Sequence, residues 1–498
     1  MLHVSTQLSR SVRSISSRLQ CRLCWRQRRG LLTLAIETSC DDTAVAILET
    51  SEPQFTQPGY TSDSGDFVGR RSSVTATLLF NEKITARNTG LGGIHPIEAL
   101  ESHQANLSGL VLKAIGCLPS VNADLEGAGS KSRIFQHNDG TFRRLPDFVS
   151  VTRGPGMRSN LACGLNTAKG LSVAWQVPLV GVHHMQAHAL TPRLVNAMRG
   201  GQKADADKNV RTKKDAMLRP DNTSVLRPEF PFLTLLASGG HTMLLHSKGL
   251  VDHQILATTR DVAIGDALDK CGRIILPEVV KSRMKDNAYA RYLSDFAFAK
   301  TDQYAVWPVP VKRKDEIGKS NNQFGWQVQA PLADTRDMAF SFTSIATSIE
   351  RLFHERAGSA ESRMSTEECL LFARTALGIA FEHLASRTII ALENLRAAHQ
   401  DISTLVVSGG VAANGFLRHF LRAILDIRGF GHVQLLCPPP WLCTDNAAMI
   451  AWCGLEMFQA GFRSGLDIAA VRKWSMDSTA AGGGILGVGG WMQPNMAI

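Results

Sequence analysis

The chain has 498 residues, enough for two domains with a sizeable core, and the composition of an ordinary globular protein. No apolar run reaches the roughly 18 residues that a membrane helix requires. The ten cysteines are scattered, which excludes a disulfide framework or a paired zinc ribbon and fits a reducing compartment. The formal charge is +10, but residues 1–32 carry seven arginines; +10 less seven leaves +3, too little to argue for a nucleic-acid partner.

Residues 1–33 read as a mitochondrial transit peptide. The first 32 residues hold seven arginines and six serines, the first acidic residue is Glu37, and Leu8, Val12, Ile15 and Leu19 recur at near-helical spacing. A secretory signal needs a continuous apolar centre, which is missing. A basic arm that binds nucleic acid is the competing reading. Cys21 and Cys24 form a CxxC inside the segment expected to be removed.

Residues 31–37 form an apolar strand, Thr38-Ser39-Cys40-Asp41-Asp42 a polar turn, and 43–48 a returning strand. A polar stretch, 51–73, follows as a surface insertion. A short strand at 178–182 feeds His183-His184-Met185-Gln186-Ala187-His188. If that segment is helical, His184 and His188 lie one turn apart and can grip one metal ion. Two histidines on a polar helix face are the bland alternative. The protease version of the pattern has a glutamate beside the first histidine as general base; here Met185 takes that place.

Residues 199–229 form a charged loop. Its cations (Lys203, Lys208, Arg211, Lys213, Lys214, Arg219) suit a solvated surface better than a phosphate site. The strand–turn–strand shape then repeats at 232–237, Ser238-Gly239-Gly240 and 241–246, an echo that suggests two halves of similar architecture. Residues 281–330, with Trp307 and Trp326, show no clear period and read as an irregular insert. Residues 366–397 form one or two amphipathic helices. A strand at 404–407 leads into Ser408-Gly409-Gly410 and a helix over 412–425. A strand at 433–437, the breaker Pro438-Pro439-Pro440 and a helix over 444–459 follow. The glycine-rich end is expected to be a flexible tail over 476–498. Alternating strands and helices make an α/β protein, with domains at 34–198 and 230–475.

Glycine lets a backbone approach a phosphate and aim N–H groups at it. Two glycine turns after buried strands, with the Asp41-Asp42 hairpin, point to a nucleotide held between two domains. There is no Walker A or GxGxxG pattern. Asp445, in Cys443-Thr444-Asp445-Asn446, is open to two readings: a helix N-cap, or the carboxylate completing a His/His/Asp metal site. Shared ligation requires its carboxyl to lie within about 8 Å of the paired imidazoles. Asp266 and Asp269 at i and i+3 form either a solvated face or a site for ribose or base hydroxyls.

Taken together, Leu34 to Thr43, Gly154-Pro155-Gly156, His183 to His188, Ala237 to Thr242, Asp269-Lys270, Phe340-Ser341-Phe342, Ser408 to Asn414 and Cys443 to Ile450 occur in the order of a known family. The chain resembles the tRNA threonylcarbamoyladenosine transferases of the mitochondrial type, over about residues 31–462. The resemblance implies an actin-like ATPase (ASKHA) architecture of two ribonuclease-H-like domains with the ligand site between them. It implies transfer of the threonylcarbamoyl group of threonylcarbamoyl-AMP to the exocyclic amine of the adenosine 3′ of the anticodon in tRNA. His184, His188 and Asp445 would hold one divalent metal ion per subunit, zinc or iron. Leu236, Ala237, Ser238, Gly239, Gly240, Asp269, Ala413, Asn414 and Thr444 would line the nucleotide and threonylcarbamoyl pocket. A homodimer in the mitochondrial matrix is also implied.

The chain departs from the family pattern in three places. Asp41-Asp42 stands for the usual Asp-Glu, no glycine occurs over 275–288 where the family carries a glycine pair, and Ala346 replaces the lysine often found after Phe-Ser-Phe. Three rival readings remain: a metalloprotease, which Met185 opposes; an ATP-dependent kinase of the same fold class; and a catalytically weakened nucleotide-binding member of the family.

Overall fold

The computed structural model describes residues 30–51, 74–87, 94–121, 133–201, 226–317, 322–357 and 364–492. Residues 1–29 of the expected transit peptide, with Cys21 and Cys24, nearly all of the 51–73 insertion and most of the charged loop lie outside the described residues; the last two residues expected in the transit peptide, Leu32 and Thr33, instead begin β1.

All six residues of β1 (Leu32–Glu37) are buried because both faces of the strand are covered. Side chains alternate along a strand. Leu34 and Ile36, with Val45 and Ile47 of β2 (Asp42–Thr50), meet Leu107, Leu110 and Leu165 of the helices Pro96–Gly116 and Arg158–Trp175. On the other face Ala35, Ala44 and Ala46 are small, so the helix Ala447–Gln459 lies close against the sheet. The fit leaves no room at Gly454, where a Cβ would collide with Ser150 Oγ.

β1 and β2 pair antiparallel, as do β2 and β3 (Ala76–Thr85). β1 runs parallel to β6 (Phe148–Gly154), and β6 to β7 (Leu179–His183). A separate hairpin joins β4 (Ile134–Gln136) and β5 (Phe142–Arg144). The second sheet repeats the plan. β8 (Phe232–Ala237), β9 (Thr242–Ser247) and β10 (His253–Thr259) form an antiparallel meander. β8 is parallel to β12 (Thr404–Ser408), and β12 to β13 (Gln434–Leu436). The orders β3-β2-β1-β6-β7 and β10-β9-β8-β12-β13 are therefore the same; β11 (Ala339–Phe340) extends the second sheet beyond β10. The two strand–turn–strand echoes are the first hairpin of each sheet.

One apolar cluster joins the sheets. Phe232, Leu236 and Val406 meet Met185, Leu190 and Leu194 of the helix His184–Gly201 and most of Ala447–Gln459. The histidine helix is thus held between the sheets by its apolar face.

At its C-terminal end the chain departs from the expected 230–475 unit. Ala447–Gln459 covers β1 and β2, and β14 (Arg463–Ser464) and β15 (Trp491–Met492) extend the first sheet beyond β7. Residues 476–492, expected as a flexible tail, are instead folded down. Ile485 is fully buried, Trp474 Nε1 donates to the Gly484 carbonyl at 3.2 Å, and Trp491 Nε1 donates to that of Ile485 at 3.2 Å. Glycine recurs here because Gly483, Gly484 and Gly490 have φ of 67°, 65° and 87°, a region that costs other residues energy.

The insert at 281–330 is also more regular than expected, with helices at Tyr289–Ala297, Thr301–Val306 and Arg313–Ile317. Two tryptophans pin it to the long helix Thr366–Ala397. Trp326 stacks on Phe372 at 4.0 Å, and Trp307 lies over Gly378, where any Cβ would strike the indole. That 32-residue helix is long and apolar enough to cross a membrane by composition, but it is the core of the second half and buries Glu382, His383 and Arg387.

If the tail is part of the fold, Ile485→Ala should lower stability by about 2–4 kcal/mol, read from urea unfolding midpoints. An unchanged midpoint would return residues 476–492 to a loose segment.

Candidate functional site

The helix that carries the paired histidines starts where it does because of His183. Its Nδ1 accepts from the backbone N–H groups of Met185 at 3.2 Å and Gln186 at 3.4 Å, satisfying two of the free donors at a helix start. Burial pushes the His183 pKa down to about 3, so the ring is neutral and keeps this lone pair. Its other nitrogen, Nε2, donates to the Trp474 carbonyl at 3.1 Å, and the two rings lie 4.7 Å apart. Met185 faces the core; no general base occupies the protease position.

A parallel device frees Asp445. Asn446, not Asp445 or Thr444, caps the helix Ala447–Gln459: its Oδ1 accepts from Met449 N at 2.9 Å, and its Nδ2 donates to the Thr444 carbonyl at 2.7 Å. The Asp445 side chain therefore turns to the histidines. Its Oδ1 lies 3.1 Å from His188 Nε2 and 3.4 Å from His184 Nε2, far inside the limit for shared ligation. One ligand atom from each of the three residues falls within 4.8 Å of the others. A divalent ion with bonds of about 2.0–2.2 Å has ligand atoms roughly 3 Å apart, so the spacing fits one cation. Two imidazoles and one carboxylate also leave coordination positions open for a substrate. Burial disfavours charge at all three groups, but mutual attraction wins at two of them. His184 is held well above the usual imidazole range by Asp445 and Glu37, and Asp445 well below the usual carboxylate range by the histidines. At His188 burial prevails and lowers the pKa.

Three residues of this site have no signal in local spacing. Glu37 closes the apolar strand β1, is fully buried, and accepts from His184 Nδ1 at 3.3 Å and Ser39 N at 2.6 Å. Ser39 Oγ lies 3.2 Å from the same His184 nitrogen. Lys83 on β3 donates to Asp42 Oδ2 at 2.6 Å, Thr444 Oγ1 at 3.1 Å and the Asp445 carbonyl at 3.2 Å, tying the edge of the first sheet to the 444–445 loop. A carboxylate ending an otherwise apolar strand was the one clue to Glu37. Asp41 is pushed up to about 6 by burial and by Asp42 and Asp445. Burial raises the Cys40 thiol far above its usual range, which excludes a thiolate nucleophile at neutral pH.

The expected pocket residues lie in the two glycine turns, the 444–445 loop and the contacts of the helix Tyr289–Ala297. Leu236 and Ala237 are buried at the end of β8. Ser238 closes the turn by accepting from His241 N at 3.0 Å through its Oγ. A Cβ added to Gly239 or Gly240 would meet nothing within 4 Å, so both face open space. Gly409 has φ of 98° and lies so close to the Ala237 carbonyl that a Cβ would clash, and a Cβ on Gly410 would be 3.9 Å from Thr444 Cγ2. The two glycine turns and the 444–445 loop are contiguous. Ala413 ends the short turn Gly410–Ala413. Asn414 caps the helix Gly415–Ile427, accepting from Phe416 N at 2.9 Å and Leu417 N at 3.2 Å. The helix Tyr289–Ala297 touches two of these residues: Ala290 N donates to Asp269 Oδ1 at 2.6 Å, and Asn414 Nδ2 donates to Ser294 Oγ at 3.0 Å. Burial pushes Asp269 up to about 6. In this chain the insert thus packs against both Asp269 and Asn414.

A family model described as tRNA N6-adenosine threonylcarbamoyltransferase matches residues 133–202 and 216–452. The chain belongs to this family. It is 31% identical over 472 residues to the mitochondrial tRNA N6-adenosine threonylcarbamoyltransferase of Schizosaccharomyces pombe, covering 93% of this chain and 90% of that one. The tRNA N6-adenosine threonylcarbamoyltransferase of Methylocapsa acidiphila is 30% identical over 455 residues, covering 90% and 97%. Among solved structures, HypF of T. kodakarensis aligns over 87% of this chain and 48% of its own, at 13% identity and a TM-score of 0.36, too low to bear on the fold. The mixed-sheet α/β structure and the family together make this threonylcarbamoyltransferase an enzyme of tRNA modification with an actin-like ATPase-type fold. The metalloprotease and kinase readings are not favoured.

The capping assignment can be checked by stability. In chelator-treated protein, Asn446→Ala should cost about 1 kcal/mol, and Asn446→Ser, which keeps a capping oxygen, should cost less. Wild-type stability of Asn446→Ala in urea unfolding would take the cap away from Asn446.

Proposed function

We propose that the chain transfers the threonylcarbamoyl group of threonylcarbamoyl-AMP to the exocyclic amine of the adenosine 3′ of the anticodon, in mitochondrial tRNAs that read codons starting with A, and releases AMP. The observation that supports this reading best is the adjacency of two glycine turns, one of them facing open space, to a His/His/Asp donor set. We read the two sheets as two ribonuclease-H-like domains with the ligand between them, the C-terminal segment from Ala447 returning to the first.

In this reading the amine nitrogen forms a bond to the carbamoyl carbon, and the bond from that carbon to the phosphate oxygen breaks. AMP leaves with the electron pair, and the amine proton passes to water. AMP is a good leaving group and the amine a poor nucleophile, so positioning counts for more than a strong base. Backbone N–H groups of Gly239 and Gly240, in the turn after a buried strand, would face the phosphate, while the Ser238 N–H is held by the His241 carbonyl at 2.9 Å. Lys83 adds a cation beside Thr444. Leu236, Ala237, Ala413, Asn414 and Thr444 line the pocket, and Asp269 addresses a sugar hydroxyl. His184, His188 and Asp445 would hold the divalent ion, zinc or iron, which would supply Lewis-acid stabilisation of negative charge at the carbonyl. The target base lies in a single-stranded loop, where splaying it into a pocket costs little.

The mitochondrial name of the Schizosaccharomyces pombe relative, with the arginine-rich start of this chain, supports import into the mitochondrion, and we assign the enzyme to the matrix. We also carry forward a homodimer. Ile97 and Leu112 on the helix Pro96–Gly116 and Val173 on Arg158–Trp175 are large apolar side chains left at least half exposed.

The decisive variant is His184→Ala, expressed in cells that lack the endogenous enzyme. Threonylcarbamoyladenosine in mitochondrial tRNA, measured by nucleoside mass spectrometry, should fall below about a tenth of the wild-type level. Modification at the wild-type level would reject a role for the donor set.

A further inference from the structure

We propose that Glu37 is the positioning residue of the metal site: its carboxylate holds the His184 ring with the proton on Nδ1, so that Nε2 turns a lone pair to the cation. The inference rests on the metal reading above and adds a residue to it.

Glu37 is 0% exposed at the end of a strand that is otherwise apolar apart from Thr33, and an unpaired buried carboxylate is expensive. It persists because donors surround it. Ser39 N donates to Oε1 at 2.6 Å, Thr152 Oγ1 donates to Oε2, and His184 Nδ1 lies 3.3 Å from Oε2.

Both Glu37 oxygens accept hydrogen bonds, from Ser39 N and Thr152 Oγ1, so His184 meets them as a donor, with a proton on Nδ1. Nε2 then faces Asp445 Oδ1 across 3.4 Å, the gap in which a cation would lie. A carboxylate behind a ligating imidazole is the usual way a protein sets this tautomer. His188 has no such support: its Nδ1 is buried without a partner among the described residues. The site therefore depends on one clamp.

Glu37→Gln reverses the arrangement at almost the same volume. Ser39 N–H still needs an oxygen, so the glutamine oxygen takes the Oε1 place and its amide N–H faces His184. Nδ1 must then accept, and the proton moves to Nε2, pointing at Asp445.

The test is Zn²⁺ binding by the full chain, measured by competition with a chromophoric chelator, together with melting temperatures with and without Zn²⁺. Glu37→Gln should bind Zn²⁺ about 10–100-fold more weakly, and its melting temperature should rise less on adding Zn²⁺ than that of the wild type. Wild-type affinity in the variant overturns the proposal, and so does an equal loss of melting temperature with and without Zn²⁺, which marks a purely structural role. A wild type that binds neither Zn²⁺ nor Fe²⁺ overturns it too, and with it the metal reading. If Glu37→Gln does not fold, Thr152→Val removes one support of the carboxylate. A loss of affinity of about threefold or more supports the proposal, and none overturns it.

Discussion

Two imidazoles and a carboxylate, brought from two distant parts of the sequence into one largely buried spot, are the constraint on which the rest of this structure depends. Each group loses hydration there, and burial of charge is tolerated only when it is paired. His184 and His188 are carried by a helix wedged between two sheets, and Asp445 by a loop 257 residues beyond His188. Their separations of 3.1 and 3.4 Å require both carriers to be rigid. The rigidity is local in origin: His183 and Asn446 each satisfy the free N–H groups at the start of one helix, so the neighbouring ligand has no capping to do.

The packing behind the site follows from the same need. Ala35, Ala44 and Ala46 keep the first sheet thin where Ala447–Gln459 crosses it, and Gly454 lets that helix approach Ser150. The C-terminal segment closes the arrangement, since the backbone of Trp474 accepts the proton of the His183 ring that starts the histidine helix. Gly239 and Gly240 leave open space beside the donor set, and Gly409 lets the second glycine turn lie against the end of β8. Close backbone approach and open space, both properties of glycine, give the two turns different duties.

Much of this was legible in the sequence, and the limits have physical causes. Strand–turn–strand units are encoded by neighbouring residues, so both hairpins and their polar turns could be placed, and the i,i+4 spacing of the histidines is a local property of a helix. The partners were not local. Glu37 meets a ring 147 residues away, and Lys83 a hydroxyl 361 residues away. Asp445 and Asn446 are both good caps, and only the observed hydrogen bonds separate the ligand from the cap. The glycine-rich tail misled because glycine marks positive φ as well as looseness. The insert misled because Trp307 and Trp326 are anchored on a distant helix, at Gly378 and Phe372, and no period within 281–330 reports that.

The account stands or falls on where a bound ion sits. Anomalous diffraction from crystals of the Zn²⁺-loaded enzyme tests this most directly. One peak should lie about 2.0–2.2 Å from His184 Nε2, His188 Nε2 and an Asp445 carboxylate oxygen. A peak elsewhere, or a direct His184–Asp445 hydrogen bond that persists in the loaded protein with no ion between them, would contradict it.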